Sequence, residues 1–170
     1  MIFETERLAV RELNSASDAE FVRCLLNSPK FLEYIGNRGV RTVEESAAFI
    51  ENRYRQSYRD HGFGLYAVEL KNGGTQIGIC GFVKRDTLSS PDLGFAFLPE
   101  FEGNGYGFES AGAALNYGCG QLGFSTVLAI TSIDNDASGR LLEKLGFCFE
   151  RLSENGDETI KLFSIDLKQN

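Results

Sequence analysis

The segment Pro99-Glu-Phe-Glu-Gly-Asn-Gly-Tyr-Gly107 restricts the fold more than any other stretch of the chain. Its glycines alternate at 103, 105 and 107, between an apolar run from Asp92 to Leu98 that reads as a strand and a periodic run from Gly105 to Leu122 that reads as a helix. On that helix Phe108, Ala111, Leu115, Cys119 and Leu122 form one stripe. A plain strand-to-helix turn needs one glycine. Three alternating ones let the backbone turn sharply and approach a ligand closely. Amides at a helix N-terminus have no intrahelical acceptor, so such a loop is suited to an anion such as a pyrophosphate. The spacing is G-x-G-x-G, not the G-x-G-x-x-G of dinucleotide-binding folds. Asp134, the nearest acidic residue after the next strand, lies about ten residues too far along for the ribose contact. Tyr106-Gly-Phe-Glu109 offers no Lys-Ser or Lys-Thr of a Walker loop.

The remaining segments alternate in period. Arg7 to Glu12 alternates apolar and polar residues as a half-buried strand. Ser17-Asp-Ala-Glu20 and Thr42-Val-Glu-Glu45 both read as capping boxes, opening helices that run to about Asn27 and about Arg59. Arg53, Arg55 and Arg59 lie toward the end of the second, where positive charge suits the dipole. Gly64–Leu70 and Gln76–Lys84 form a hairpin around Asn72-Gly-Gly74. Thr126–Thr131 is a strand, Asn135–Leu145 a helix ending at Gly146, and Phe147–Arg151 and Thr159–Leu167 are closing strands. Gly112, Gly118 and Gly120 each cost their helix about 1 kcal/mol against alanine, which predicts a closely packed neighbour or an early helix end. The order β-α-α-β-β-β-α-β-α-β-β predicts one α/β domain over residues 1–170, built on a mixed sheet, with no repeat or linker.

Composition narrows the function. A net charge of -7 disfavours a broad nucleic-acid footprint and suits a cationic amine. No apolar run reaches the ~18 residues of a membrane span, and Met1 to Leu13 carries no apolar signal core. Cys24, Cys80, Cys119 and Cys148 are scattered among apolar neighbours and read as buried free thiols of a cytoplasmic protein. One histidine and dispersed cysteines predict no metal site.

A second constellation follows the next strand. Asn135, Ser138 and Leu142 share one helix face, although Asn135 also reads as a simple N-cap and Ser138 as an ordinary helix residue. With the glycine loop, the two segments read as walls of one cleft at the ends of adjacent strands. Together they resemble the two acetyl-CoA motifs of the GNAT superfamily of N-acetyltransferases. Glu102-Gly-Asn-Gly-Tyr-Gly107 stands for Q/R-x-x-G-x-G/A. Asn135, Ser138 and Glu143-Lys-Leu-Gly-Phe147 stand for the Asn-x-x-Ser/Ala…Glu-Lys-x-Gly-Phe helix. Thr5-Glu-Arg-Leu-Ala-Val-Arg11 and Ile77-Gly-Ile-Cys-Gly-Phe82 are similar to the branch of ribosomal-protein N-terminal acetyltransferases.

The resemblance implies a GNAT-like fold and direct transfer of acetyl from acetyl-CoA to a primary amine, on a protein N-terminus or a small molecule. It implies that Gly103, Asn104, Gly105, Tyr106, Gly107 and Phe108 hold the pyrophosphate. Phe97, Leu98 and Asn135 would hold the pantetheine arm. Ser138 is the candidate donor to the leaving sulfur. Asp92 is the candidate acceptor of the amine proton through water, or an anchor for the cationic substrate, or reads as a solvated strand-end charge. Tyr34 and Arg38, in the Phe31–Arg41 segment, are candidate acceptor-wall residues. His61 reads as a loop residue or a general base, and Glu109 as a charge complementing the helix dipole. Two positions depart from the family pattern: Glu102 replaces Gln or Arg, and Leu142 replaces the Tyr that protonates the departing thiolate in many relatives. The second departure leaves a non-catalytic acyl-CoA-binding or sensing module as the alternative. The amine is unspecified, and the assembly is expected to be a monomer or a homodimer.

Overall fold

The computed structural model describes residues 1–168. Its strands are β1 (Phe3–Glu4), β2 (Leu8–Arg11), β3 (Leu65–Leu70), β4 (Gln76–Val83), β5 (Asp92–Phe97), β6 (Thr126–Ser132), β7 (Cys148–Asn155) and β8 (Glu158–Asp166). They form one sheet in the order β1-β2-β3-β4-β5-β6-β8-β7, antiparallel throughout except for the β5–β6 pair. The helices are α1 (Ala19–Leu26), α2 (Pro29–Tyr34), α3 (Val43–Phe49), α4 (Gln56–His61), α5 (Tyr106–Gly120) and α6 (Asp136–Leu145). The mixed α/β architecture agrees with the expected element order. It adds the short β1 and also α2, where Pro29 starts a helix at its first position instead of separating two elements.

Strand alternation splits the core between the two faces of the sheet. Tyr66, Val68, Cys80 and Phe82 pack with Ala111, Ala114 and Leu115 of α5. Ala67 and Ile79 point the other way, into a cluster with Val22 and Leu25 of α1 and with Ile50 and Tyr54. The buried stripe of α5 is Ser110, Ala111, Ala114, Leu115 and Gly118, so Phe108 is displaced from the core face and is 40% exposed. A side chain at Gly118 would strike the Phe82 ring at 2.9 Å, which explains that glycine. At Gly120 nothing approaches, and the helix ends there.

Capping divides the two expected boxes. Thr42 Oγ1 accepts from the Glu45 amide at 3.1 Å, and Glu45 accepts in return from the Thr42 amide at 3.1 Å. The Ser17 box does not form. Asp18 becomes the N-cap of α1 without a side-chain cap bond, because its buried carboxylate is taken by Arg11 at 2.8 Å and by the Asn14 amide at 2.7 Å. The helix opened by Thr42 continues to His61 but passes through a π-helical segment at Ile50–Arg55 between α3 and α4. Cys80 alone is a fully buried thiol. Cys24 and Cys148 are exposed, which corrects the expectation of four buried cysteines.

Candidate active site

The chain leaves β5 through a short 3-10 turn, Pro99–Phe101, and enters the glycine loop. Gly103 (φ 78°) and Gly105 (φ 81°) adopt left-handed backbone, which strains any residue with a Cβ. The amides of Gly103 through Phe108 donate to no protein acceptor among the described residues. They gather at the start of α5, where the helix dipole adds positive potential. Residues far away in sequence fix this geometry. Arg7 donates to Glu109 at 2.7 Å and to the Asn104 carbonyl at 3.0 Å, and its guanidinium lies 4.5 Å from the centre of the Tyr106 ring. Thr5 donates to the same Glu109 carboxylate at 2.6 Å. Against the opposing effect of burial, hydrogen bonds from Thr5 and Arg7 hold the Glu109 carboxyl below its ordinary pKa. The opening Thr5-Glu-Arg7 motif is therefore a brace for the loop, and Glu109 is the group it grips.

Glu102 at the mouth of this loop is neutralised. Lys30 of α2 reaches its carboxylate at 2.5 Å, which offsets the negative charge that replaces Gln or Arg in the motif.

The sheet opens beside the loop. Strands β5 and β6 pair only at Asp92 and Leu128 and then diverge. The Leu98 amide is donated to the Ile77 carbonyl of β4 at 2.9 Å, and by strand alternation those of Phe97 and Phe95 point into the gap. An extended ligand arm with amide groups can pair with such an edge as an added strand does. Leu98 is not available for this role through its amide, whereas Phe97 is. Phe95, not singled out from the sequence, shares the orientation of Phe97.

From the point where β5 and β6 part, next to Asp92, a cleft of about 530 Å³ opens, lined from β5, β6, α6 and the α2–α4 layer. Tyr34, Arg38, Asp92, Asn135, Ser138 and Leu142 all line it, so six residues from distant segments meet there. Phe97, Leu98 and residues 103–108 lie outside it, along the gap and at the loop. His61 also lines the cleft, from the end of α4 with its ring 5.9 Å from Phe63.

Asp92 is not a solvated charge. It is 1% exposed, with Arg85 Nε at 3.0 Å from its carboxylate. Burial raises its pKa to about 6, with Arg85 pulling the other way. Asn135 is both N-cap and wall residue: its side-chain oxygen accepts the Ser138 amide at 3.2 Å, while its side-chain NH2 has no protein acceptor among the described residues. The Ser138 hydroxyl likewise has no protein partner among the described residues. Leu142 beneath it is 1% exposed and offers only carbon.

The sequence reading passed over Thr131, on β6. Thr131 lines the cleft, and its buried hydroxyl has no hydrogen-bond partner among the described residues. An orphan hydroxyl costs a fold about 1–3 kcal/mol unless a ligand or water satisfies it. Thr131→Val is accordingly expected to match or exceed the wild-type melting temperature while raising KM for the acceptor about 3- to 10-fold, as the loss of one hydrogen bond implies. Thermal unfolding and steady-state kinetics on the same preparation check both halves.

A loop of unpartnered amides at a helix start, a splayed strand pair and a polar cleft beside it suit a long anionic ligand with an amide-bearing arm and a separate second ligand. The sequence model of the acetyltransferase (GNAT) domain matches residues 7–148. The chain belongs to the GNAT acetyltransferase family. This acetyltransferase is 28% identical over 147 residues to the uncharacterized N-acetyltransferase YoaA of Bacillus subtilis (strain 168), covering 86% of this chain and 82% of the relative. Its fold superposes on the ribosomal-protein-S5-alanine acetyltransferase from Vibrio fischeri with a TM-score of 0.77 at 20% identity, covering 96% and 95% of the two chains. The spermidine N-acetyltransferase from Vibrio cholerae, solved with CoA and spermine, also gives a TM-score of 0.77, at 21% identity, covering 95% and 96%. One fold therefore serves a protein acceptor in one of these proteins and a polyamine in the other. The acetyltransferase described here uses acetyl-CoA, as its family does, and acetylates an amine. No helix among its described residues is long and apolar enough to cross a membrane.

Proposed function

We propose that the protein transfers acetyl directly from acetyl-CoA to a primary amine within a ternary complex. The carrying observation is the alignment of the three parts just described: loop amides, open β5 edge and buried Asp92 follow one another along a single strand and its extension. The amides of Gly103 to Phe108 receive the pyrophosphate. The β5 edge at Phe95 and Phe97 and the side-chain NH2 of Asn135 hold the pantetheine arm. Acetyl-CoA supplies the thioester whose carbonyl the amine attacks, and an amide of the β5 edge polarises that carbonyl.

Asp92 takes the amine proton, directly or through one water. A carboxyl with a pKa near 6 is ionised at neutral pH yet basic enough to accept the proton that the amine nitrogen gives up as it bonds to the carbonyl carbon. Ser138 donates its hydroxyl to the sulfur as the carbon–sulfur bond breaks, a role Leu142 cannot fill. Direct transfer is further supported by the cysteines. None lines the cleft among the described residues, and the buried Cys80 thiol is pushed up to about 12 by its apolar surroundings, far from a reactive thiolate.

Calorimetric titration with acetyl-CoA, followed by thiol release across a panel of amines, tests the reading. Binding with amine-dependent release is the expected result. Binding with no release from any amine would favour the acyl-CoA sensor that Leu142 suggests, and no binding would end both readings. Ser138→Ala is expected to lower kcat about 10-fold or more with the acetyl-CoA affinity changed less than about 3-fold, since its hydrogen bond strengthens as charge develops on sulfur. Equal losses in both would make Ser138 a contact only.

A further inference from the structure

The acceptor cleft carries the opposite charge balance from the chain as a whole. In a protein of net charge -7, the cleft is lined by four cationic side chains, Arg38, Arg53, Lys84 and Arg85, against three carboxylates, Asp60, Asp92 and Glu158. Two of the carboxylates are engaged: Asp92 by Arg85 at 3.0 Å and Asp60 by the Gln56 side chain at 2.8 Å. Arg38 and Arg53 are not. Neither forms an ion pair or donates a hydrogen bond to protein among the described residues. The contrast is local, because Arg55 and Arg59 on the same helix both reach Glu51, at 3.2 Å and 2.9 Å. Arg53 has only the face of the Phe49 ring, 5.7 Å away.

The π-helical turn explains how Arg53 arrives there. A wider turn at Ile50–Arg55 shifts the register of the helix, so that Asn52, Arg53, Gln56 and Ser57 all line the cleft. Burial lowers the Arg38 pKa, Tyr54 opposes this, and Arg53 and Arg85 lower it further as like charges. Arg38 thus sits close enough to Arg53 and Arg85 to be repelled by both. Glu158 attracts it without forming an ion pair, and of the three guanidinium groups only Arg85 has a bonded counter-ion among the described residues. A bound anion relieves that repulsion, and a guanidinium pairs with a carboxylate through two parallel hydrogen bonds.

We infer that the acceptor is an amine bearing a carboxylate, the carboxylate held by Arg38 and Arg53 and the amine turned toward Asp92. This deepens the transferase reading and rests on it. Polyamines and aminoglycosides fit poorly, because each further ammonium group meets Arg38 or Arg53 as a like charge. The acidic surface of the chain as a whole does not set acceptor specificity; the cleft does.

Matched acceptors test this, with rates corrected to the free-amine fraction. β-Alanine is compared with β-alaninamide, a peptide with Asp at its second position with the same peptide carrying Asn, and spermidine serves as the polycation. The carboxylated member is expected to exceed its amide by about 10- to 100-fold in kcat/KM, the worth of one or two charge-assisted hydrogen bonds. That ratio should fall to near one in the Arg38→Gln, Arg53→Gln double variant. Whichever pair shows the effect identifies a free amino acid or an acidic peptide N-terminus as the source. Equal rates within both pairs, or a preference for spermidine, overturn the inference. Titration of β-alanine and of the Asp peptide into the protein–CoA complex separates the two levels. Binding that the double variant loses, with no thiol released, would sink the transferase and keep the anion subsite. Absence of both binding and carboxylate-dependent rate would remove the subsite.

Discussion

Asp92→Asn is expected to lower kcat by about 100- to 10,000-fold, the range that removing a positioned general base produces. Affinity for acetyl-CoA should stay within about 3-fold of wild type, because Asp92 begins β5 and the glycine loop follows the other end of that strand. The pH profile carries the same assignment. A base must be ionised to work, so wild-type kcat should rise with pH through about 6 and level off above it, the value to which burial lifts this carboxyl. The variant should lose that limb.

Stability should move the other way. The native carboxyl titrates near 6 and the unfolded one near its ordinary 3.8, so the protonated group favours the fold below about pH 4. That advantage is lost as pH rises to about 6, and above it the buried charge is a burden. Asn removes the burden, and Arg85, which is 34% exposed, can be hydrated when its partner is gone. The variant should therefore melt no lower than wild type at pH 8. A folded, stable and inactive protein is the predicted combination. A folded variant with unchanged kcat would take Asp92 out of the chemistry.

Gly105→Glu is expected to weaken acetyl-CoA binding by about 100-fold or more. A carboxylate would then stand among the amides proposed to receive the pyrophosphate, and like charges in such a site cost several kcal/mol. The fold should survive, since left-handed backbone at a non-glycine residue costs only about 1–2 kcal/mol. Gly105→Ala is the control: it carries the same strain without the charge and should bind within about 10-fold of wild type. Calorimetry with acetyl-CoA and a thermal melt of both variants separate charge from strain. A folded Gly105→Glu protein with undiminished affinity would remove the loop from the binding site.

Much of this site was legible in the chain because it is local. The alternating glycines, the Thr42–Glu45 capping box and the Asn135–Ser138–Leu142 face each depend on residues within two turns of one another. At that range, backbone geometry and periodicity dictate which groups meet. Even the order of elements follows from this, since each period change marks an element boundary. Local patterns misled where a neighbouring charge outcompeted them: Glu20, the expected second half of the Ser17 box, pairs with Arg23 at 2.6 Å, and Asp18 stands at the N-cap instead.

The tertiary structure alone decided which charges are paired and which are not. Lys30 finds Glu102 and Arg7 finds Glu109 across separations of about 70 and 100 residues, and no sequence spacing encodes either. Burial of Asp92, the orphan hydroxyl of Thr131 and the unmatched Arg38 and Arg53 depend on how β5 and β6 splay and on where a π turn re-aims a helix. Electrostatic energies vary with distance and local dielectric, which only packing establishes. Thus the chain itself specifies a domain with a glycine loop of unpartnered amides opening a helix, and the packed fold specifies which charges of its cleft are buried, paired or left unmatched.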